Sequence, residues 1–408
     1  MRPGRRLYIR PAPRAQPTLP RAAALAALAL TAVAALSIAR AGARAGASAP
    51  TGASAAKGAS AATSASAAKD ASAASGTSAS ASLPPASLPD FYVVDLHVDT
   101  VFHALTYGRS LVGPASAKGD LSLARLRAGR YAAQVFAIWV PSKVEDEGGP
   151  AASAAYAERA FAAYEALVAA AAPDLEPART RADLARVHAA GRIAAVLSIE
   201  GAHPLGDRPE ALDVWVARGL RVLGLTWNNS NAFAEAAADP RPGAPGLTPL
   251  GRALVARAEA AGVLVDVSHA SAATLRDVVA IAHRPVVASH SDCAALRPHA
   301  RNLTDDQLRA LAATGGLVGI NFHAPFVAKK KHVTLDDVAT QVLHAVAAAG
   351  AAHVALGSDF DGLIVKPTGL SGADAMPALA AALLARGLPP ADVAAVMGGN
   401  AYRLLSGP

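Results

Sequence analysis

The chain has 408 residues, 52% of them hydrophobic and 4% aromatic, enough for one large domain or two ordinary ones. Its net charge of +7 sits in the leader: residues 1–90 hold ten of the 38 Lys and Arg and two of the 31 Asp and Glu, a charge of +8, which leaves 91–408 at −1. That distribution excludes nucleic acid as a partner, and the single cysteine, Cys293, excludes a disulfide framework or a Cys-rich zinc site, so any metal must be held by His and carboxylate.

Residues 1–21 are rich in Arg and Pro, and 22–39 (AAALAALALTAVAALSIA) carry no charge. A stretch of small residues, Arg40-Ala41-Gly42-Ala43-Arg44-Ala45-Gly46-Ala47, follows. This pattern predicts a signal peptide or an N-terminal membrane anchor over 1–44. The protein is then exported, to the periplasm or outside the cell, or held at the membrane through residues 22–39. No Cys follows the apolar run, which excludes lipoprotein attachment. Residues 45–89 are almost all Ala, Ser, Gly, Thr and Pro and offer no bulky side chains for a core, so they are expected to form a disordered linker. The folded domain is expected over 90–408.

From there strands and helices alternate. Apolar runs predict strands at 91–97, 131–139, 193–199, 221–227, 263–268, 285–290, 316–321 and 353–358. Helical patterns fall between them at 151–171, 180–190, 208–218, 248–261, 271–282, 304–314 and 334–349, with two more at about 374–386 and 389–405. Eight strands alternating with helices predict an α/β fold, a (β/α)8 TIM barrel. A doubly wound open sheet would carry a Gly-rich phosphate loop after its first strand, where this chain has His97-Val98-Asp99.

In such a barrel the chemistry lies at the C-terminal ends of the strands. The first strand ends in His97 and Asp99, two residues apart and so expected on one face. The third ends in Ile199-Glu200-Gly201-Ala202-His203, the fourth in Leu225-Thr226-Trp227-Asn228-Asn229 and the fifth in Asp266-Val267-Ser268-His269. The sixth ends in Ala288-Ser289-His290 and the eighth in Gly357-Ser358-Asp359-Phe360-Asp361-Gly362. Singly each residue has a bland explanation: Glu200 as a helix cap, His269 and His290 as core histidines, Asp359 as a turn residue. Together His97, His269, His290, Asp99, Glu200 and Asp359 supply five nitrogen and oxygen ligands and a spare acid, enough for two divalent ions bridged by a carboxylate.

These motifs, with Arg301-Asn302-Leu303 and Gly398-Gly399-Asn400, make 90–408 resemble the membrane dipeptidase (renal dipeptidase) family, peptidase family M19. The resemblance implies a barrel of the metal-dependent hydrolase type and a zinc-dependent dipeptidase acting on dipeptides with free amino and carboxyl ends. It implies two zinc ions: His97 and Asp99 on one, His269 and His290 on the other, Glu200 bridging both, and a hydroxide between them as nucleophile. Arg301 is similar to the family's carboxylate-binding arginine. Asp359 is similar to its acid that contacts the substrate amine and shuttles the proton. Where mammalian members carry a His that helps polarise the scissile carbonyl, this chain has Trp227, which leaves that interaction and the substrate range open. Family members are often homodimers. The alternative is a related binuclear amidohydrolase or deacylase acting on N-acyl amino acids or another small amide or lactone. A metal-free binding barrel is a third reading, against which all five ligand positions argue. His203, His323 and His353 are expected to be structural or to orient ligands, and Cys293 to be a small buried residue.

Overall fold

The computed structural model describes residues 88–113, 119–239 and 246–407. The predicted signal or anchor (1–44) and all of the predicted linker except Leu88 and Pro89 lie outside the described residues. Among the described residues, no helix is long and apolar enough to cross a membrane.

The strands are β1 (Val93–Val98), β2 (Tyr131–Trp139), β3 (Leu175–Pro177), β4 (Ile193–Glu200), β5 (Leu220–Gly224), β6 (Leu264–Asp266), β7 (Val286–Ala288), β8 (Leu317–Ile320) and β9 (Val354–Leu356). All pair in parallel, in the order β2-β1-β9-β8-β7-β6-β5-β4, and the pairing of β2 with β4 closes the ring. The chain is thus a (β/α)8 barrel. The ninth strand, β3, has no counterpart among the predicted ones. It pairs with Ile193–Ala195 of β4, ahead of the point where β5 joins at Leu197. Three residues are too few to show a period in sequence.

Parallel strands covered on both faces read as continuous apolar runs. All nine residues of β2 are buried. In β1 the alternation sorts chemistry from packing. Val94 and Leu96 belong to one apolar cluster with Leu184, Val187, Leu404 and Leu405, while Asp95 and His97 fall on the other face.

The described helices are α1 (Thr100–Tyr107), α2 (Leu123–Ala128), α3 (Ser142–Ala170), α4 (Arg181–Ala189), α5 (Leu212–Ala217), α6 (Pro249–Ala260), α7 (Ala272–Ile281), α8 (Asp305–Ala313), α9 (Ala324–Val327), α10 (Leu335–Ala349), α11 (Met376–Ala385), α12 (Pro390–Ala394) and α13 (Asn400–Ser406). Capping boxes start three of them, Thr180 with Asp183, Thr304 with Gln307 and Thr334 with Asp337, each satisfying otherwise orphaned N–H groups. The predicted start of a helix at 151 marks only the second half of α3. Gly149 turns to φ 65°, ψ −165°, and Pro150 restarts the helix behind it. The helix expected over 389–405 is interrupted by a π-turn at Ala395–Gly399. There a Cβ on Gly398 would stand 2.3 Å from the carbonyl oxygen of Tyr92, so glycine lets this turn close onto the start of β1.

Candidate metal centre

His97 is still on β1, but Asp99 has left it. Its backbone (φ −103°, ψ 23°) is not extended, and it stands at the N-cap of α1 without capping the helix through its side chain. Its Oδ1 nevertheless lies 3.7 Å from His97 Nε2. Glu200 ends β4 and places Oε2 3.6 Å from His97 Nε2 and Oε1 2.8 Å from His269 Nε2 and 3.4 Å from His290 Nε2. The two Nε2 atoms of His269 and His290 are 3.0 Å apart, and the His97 and His290 rings stack at 3.8 Å. The predicted ligand residues therefore converge on one buried spot. His269 and His290 reach it from the loops just past β6 and β7 rather than from the strands.

Two of these positions hold a left-handed backbone, His269 at φ 68° and Asp359 at φ 61°. For residues other than glycine this costs about 1–3 kcal/mol and persists only where the surroundings impose it. Here main-chain bonds do so: Asp359 N–H donates to the His97 carbonyl at 3.1 Å, and the His269 carbonyl accepts from Ala237 N–H at 2.8 Å. A Cβ on Gly362 would come 2.3 Å from Asp359 Oδ1 and 2.6 Å from Asp99 Oδ2, so only glycine lets both carboxylates keep their places.

The ring nitrogens turned away from the centre are held. Asn228 Oδ1 lies 3.0 Å from His269 Nδ1, and Ser289 Oγ lies 2.8 Å from His290 Nδ1. Held in this way, both rings turn Nε2 toward Glu200. Asn321 donates its amide to Asp359 Oδ2 at 3.0 Å. Burial holds Glu200 well above the usual carboxylate range. Burial also works against a charged His97, but the Glu200 and Asp99 carboxylates outweigh it and lift the ring to about 10. Burial, then Arg301, keeps His269 well below the usual imidazole value, and burial, then His97, does the same to His290. Asp359 is raised to about 7 by burial and by Asp99.

The donor set fits a metal. Two donors bound at about 2.0–2.1 Å to one tetrahedral zinc lie about 3.3–3.4 Å apart. The separations around Glu200 scatter about that value. His97 Nε2, Asp99 Oδ1 and Glu200 Oε2 are buried and have no hydrogen-bond partner, and such groups ordinarily have one. His97 with Glu200 and His290, and His97 with Asp99 and Asp359, each bring three ligand atoms within 4.8 Å of one another.

Arg301 is buried beside the centre. Its Nη2 donates to the His290 carbonyl at 3.3 Å, its guanidinium lies 5.9 Å from the Phe326 ring centre, and its buried Nε has no partner. Trp227 stands three residues past the end of β5, where the strand was expected to reach it. It stacks on Trp139 at 4.6 Å and 21°, and Trp139 stacks on Phe102 at 4.9 Å and 26°. The His269 ring lies 6.4 Å from Trp227. Reading the sequence missed this column, along with Asn228 and Asn321; Trp139 comes to the centre because it pairs with Glu200 at the ends of β2 and β4. His203 Nε2 lies 3.5 Å from Glu145 Oε2, His323 Nδ1 accepts from Val365 N–H at 3.0 Å, and His353 Nδ1 lies 2.9 Å from the Gly316 carbonyl. Cys293 is buried, with its N–H on Gln341 Oε1 at 2.8 Å, and burial raises its thiol pKa.

Residues 86–407 match the family model of membrane dipeptidases, peptidase family M19. The chain belongs to the membrane dipeptidase family. It is accordingly an M19 metallodipeptidase. It is 34% identical over 294 residues to dipeptidase aclJ of Aspergillus oryzae, an alignment covering 70% of this chain and 69% of that protein. Alignments with three further curated dipeptidases cover 48–58% of those proteins. Among solved structures, a metallo peptidase from Rhodobacter sphaeroides, liganded with a phosphinate mimic of the dipeptide L-Ala-D-Ala, superposes with TM-score 0.71 at 29% identity, covering 78% of this chain and 99% of that one. An amidohydrolase from Pseudomonas aeruginosa superposes with TM-score 0.65 at 25% identity, over 78% and 96% of the two chains.

Proposed function

We propose that this M19 enzyme hydrolyses dipeptides with free amino and carboxyl ends and that it does so with two zinc ions. The observation that carries the reading is the set of buried, unpartnered atoms facing one another, His97 Nε2, Asp99 Oδ1 and Glu200 Oε2. Beside them, the Nε2 atoms of His269 and His290 converge on Glu200 Oε1. His97 and Asp99 would hold one ion, His269 and His290 the other, and Glu200 would touch both. Bound zinc supplies positive charge that acidifies a water and polarises a carbonyl.

The chain's own residues do the rest. Arg301, with its spare buried Nε, would bind the substrate carboxylate, for which a guanidinium fork is well shaped. Asp359, steadied by Asn321, would bind the substrate's free amine and pass a proton to the nitrogen of the peptide bond as it breaks, a role suited to an acid lifted to about 7. The Phe102–Trp139–Trp227 column would keep water from the rim above His269. The dipeptide mimic held by the R. sphaeroides relative supports a two-residue substrate. Residues 1–44 would export the enzyme or anchor it, and 45–89 would tether a catalytic domain over 90–408. The uncharged run at 22–39, flanked by Arg21 and Arg40, supports this.

A second reading, hydrolysis of N-acyl amino acids or another small amide, is favoured by the likeness to the P. aeruginosa amidohydrolase. A panel of dipeptides and N-acyl amino acids, assayed on the full chain with and without added zinc, separates the two. Zinc-dependent turnover of free dipeptides is expected. Turnover of only the blocked substrates would overturn the dipeptidase reading in favour of the second.

A further inference from the structure

Behind the ligands, two buried aspartates make the same three bonds at two places in the barrel. Asp95 of β1 accepts at Oδ1 from Ser358 N–H (2.8 Å) and His97 N–H (3.3 Å), and at Oδ2 from the Ser358 hydroxyl (2.5 Å). Asp266 of β6 accepts at Oδ1 from Ser289 N–H (2.9 Å) and Ser268 N–H (2.9 Å), and at Oδ2 from the Ser289 hydroxyl (2.5 Å). Each pair ties the ends of neighbouring strands, β1 to β9 and β6 to β7. Each serine directly precedes a residue of the centre, Ser358 before Asp359 and Ser289 before His290. Each aspartate lies two or three residues before another, Asp95 before His97 and Asp266 before His269. All four side chains are buried.

We infer that Asp95–Ser358 and Asp266–Ser289 are positioning clamps, each setting the distance between two residues of the metal centre, and that the second clamp alone also dictates which nitrogen of its histidine is free to bind metal. The inference rests on the two-zinc reading.

The difference lies in where each serine's lone pair goes. The Ser358 hydroxyl proton is given to Asp95, and its oxygen accepts from Phe360 N–H at 3.2 Å, so no ring is involved. The Ser289 hydroxyl proton is given to Asp266, and its oxygen lies 2.8 Å from His290 Nδ1. A hydroxyl that has spent its only proton must accept, so Nδ1 must carry the ring proton and Nε2 is left bare toward Glu200. Asp266→Asn reverses this. The two N–H groups at the Oδ1 position exclude an amide nitrogen there, so the new NH₂ faces Ser289. The hydroxyl then accepts from the amide and turns its proton to His290 Nδ1. The ring must protonate Nε2 instead, which closes it to metal. The same exchange at Asp95 meets no ring.

The test measures zinc content and affinity of the full chain by elemental analysis and competitive titration, with thermal melts to show folding. Asp266→Asn should lose one of two ions, its affinity falling about ten- to a hundredfold or more. Ser289→Ala should weaken the same ion, and Asp95→Asn should keep both with a smaller change. Histidine nitrogen NMR of the metal-free protein reads the tautomer directly: Nδ1–H on His290 in the wild type, Nε2–H in Asp266→Asn. If Asp266→Asn does not fold, Ser289→Ala and the wild-type tautomer carry the test. Wild-type affinity for both ions in the folded Asp266 and Ser289 variants would overturn the inference, as would equal losses from Asp95→Asn and Asp266→Asn, or Nε2–H on wild-type His290. A wild type holding fewer than two ions while showing Nδ1–H on His290 would instead overturn the two-zinc reading and leave the clamp's control of the ring standing.

Discussion

Glu200 Oε2 faces His97 Nε2 at 3.6 Å, and neither atom has a hydrogen-bond partner although both are buried. Two complementary groups brought this close without bonding are placed for a third atom between or beside them. Glu200→Gln keeps the shape and removes the charge. It should take zinc content well below two ions per chain, because breaking a buried charge pair costs about 3–5 kcal/mol, and turnover should fall by more than about a hundredfold. Elemental analysis beside a rate measurement decides it. Two retained ions with a near-normal rate would leave Glu200 a structural residue.

The proposed grip of Arg301 and Asp359 on the two ends of the substrate makes a prediction about substrate length. Removing one partner of a charged pair in a dry site costs about 2–5 kcal/mol, or roughly thirty- to several-thousand-fold in kcat/KM. Dipeptide amides, N-acetyl dipeptides and tripeptides should therefore be poor substrates. Arg301→Ala should erase the distinction between a dipeptide and its amide. Equal kcat/KM for dipeptide, amide and tripeptide in the wild type would reject the two-ended grip.

The aromatic column predicts a graded effect at Trp227. Trp227→Phe keeps a ring against Trp139 and should stay within a few-fold of wild type. Trp227→Ala loses an aromatic pair contributing about 0.5–1.5 kcal/mol beyond its buried area and should raise KM more than it lowers kcat. Steady-state kinetics of the two variants separate packing from hydrogen bonding: equal damage from Phe and Ala would assign the role to the indole N–H.

Acid should loosen the loop next to Arg301. Burial pushes His323 down to about 4, with His299 and Arg301 adding to the shift, and the neutral ring accepts the Val365 N–H at 3.0 Å. An unfolded histidine titrates near 6.5. The contribution of His323 to stability is therefore complete above about pH 6.5 and is lost as the pH falls toward 4. The melting temperature should drop between pH 7 and pH 5, and His323→Gln should flatten part of that drop. An unchanged slope in the variant would remove His323 from the account.

The barrel and the residues at its mouth are legible along the chain. Strands covered on both faces are largely apolar, so β2 and β4 stand out as runs, and the polar residues at or just past the strand ends, His97, Glu200, His269, His290 and Asp359, mark the C-terminal rim. How those residues are held depends on contacts that form when the barrel closes. Ser358 meets Asp95 across 263 positions because the barrel closes β9 onto β1, and Ser289 meets Asp266 because β7 lies beside β6. Asp99 reaches His97 from a helix cap rather than a strand, and Trp227 finds Trp139 from a loop. Periodicity along a chain reports which face a residue takes. It cannot report the neighbour on the next strand, because that neighbour is chosen by register and closure, which are properties of the assembled sheet.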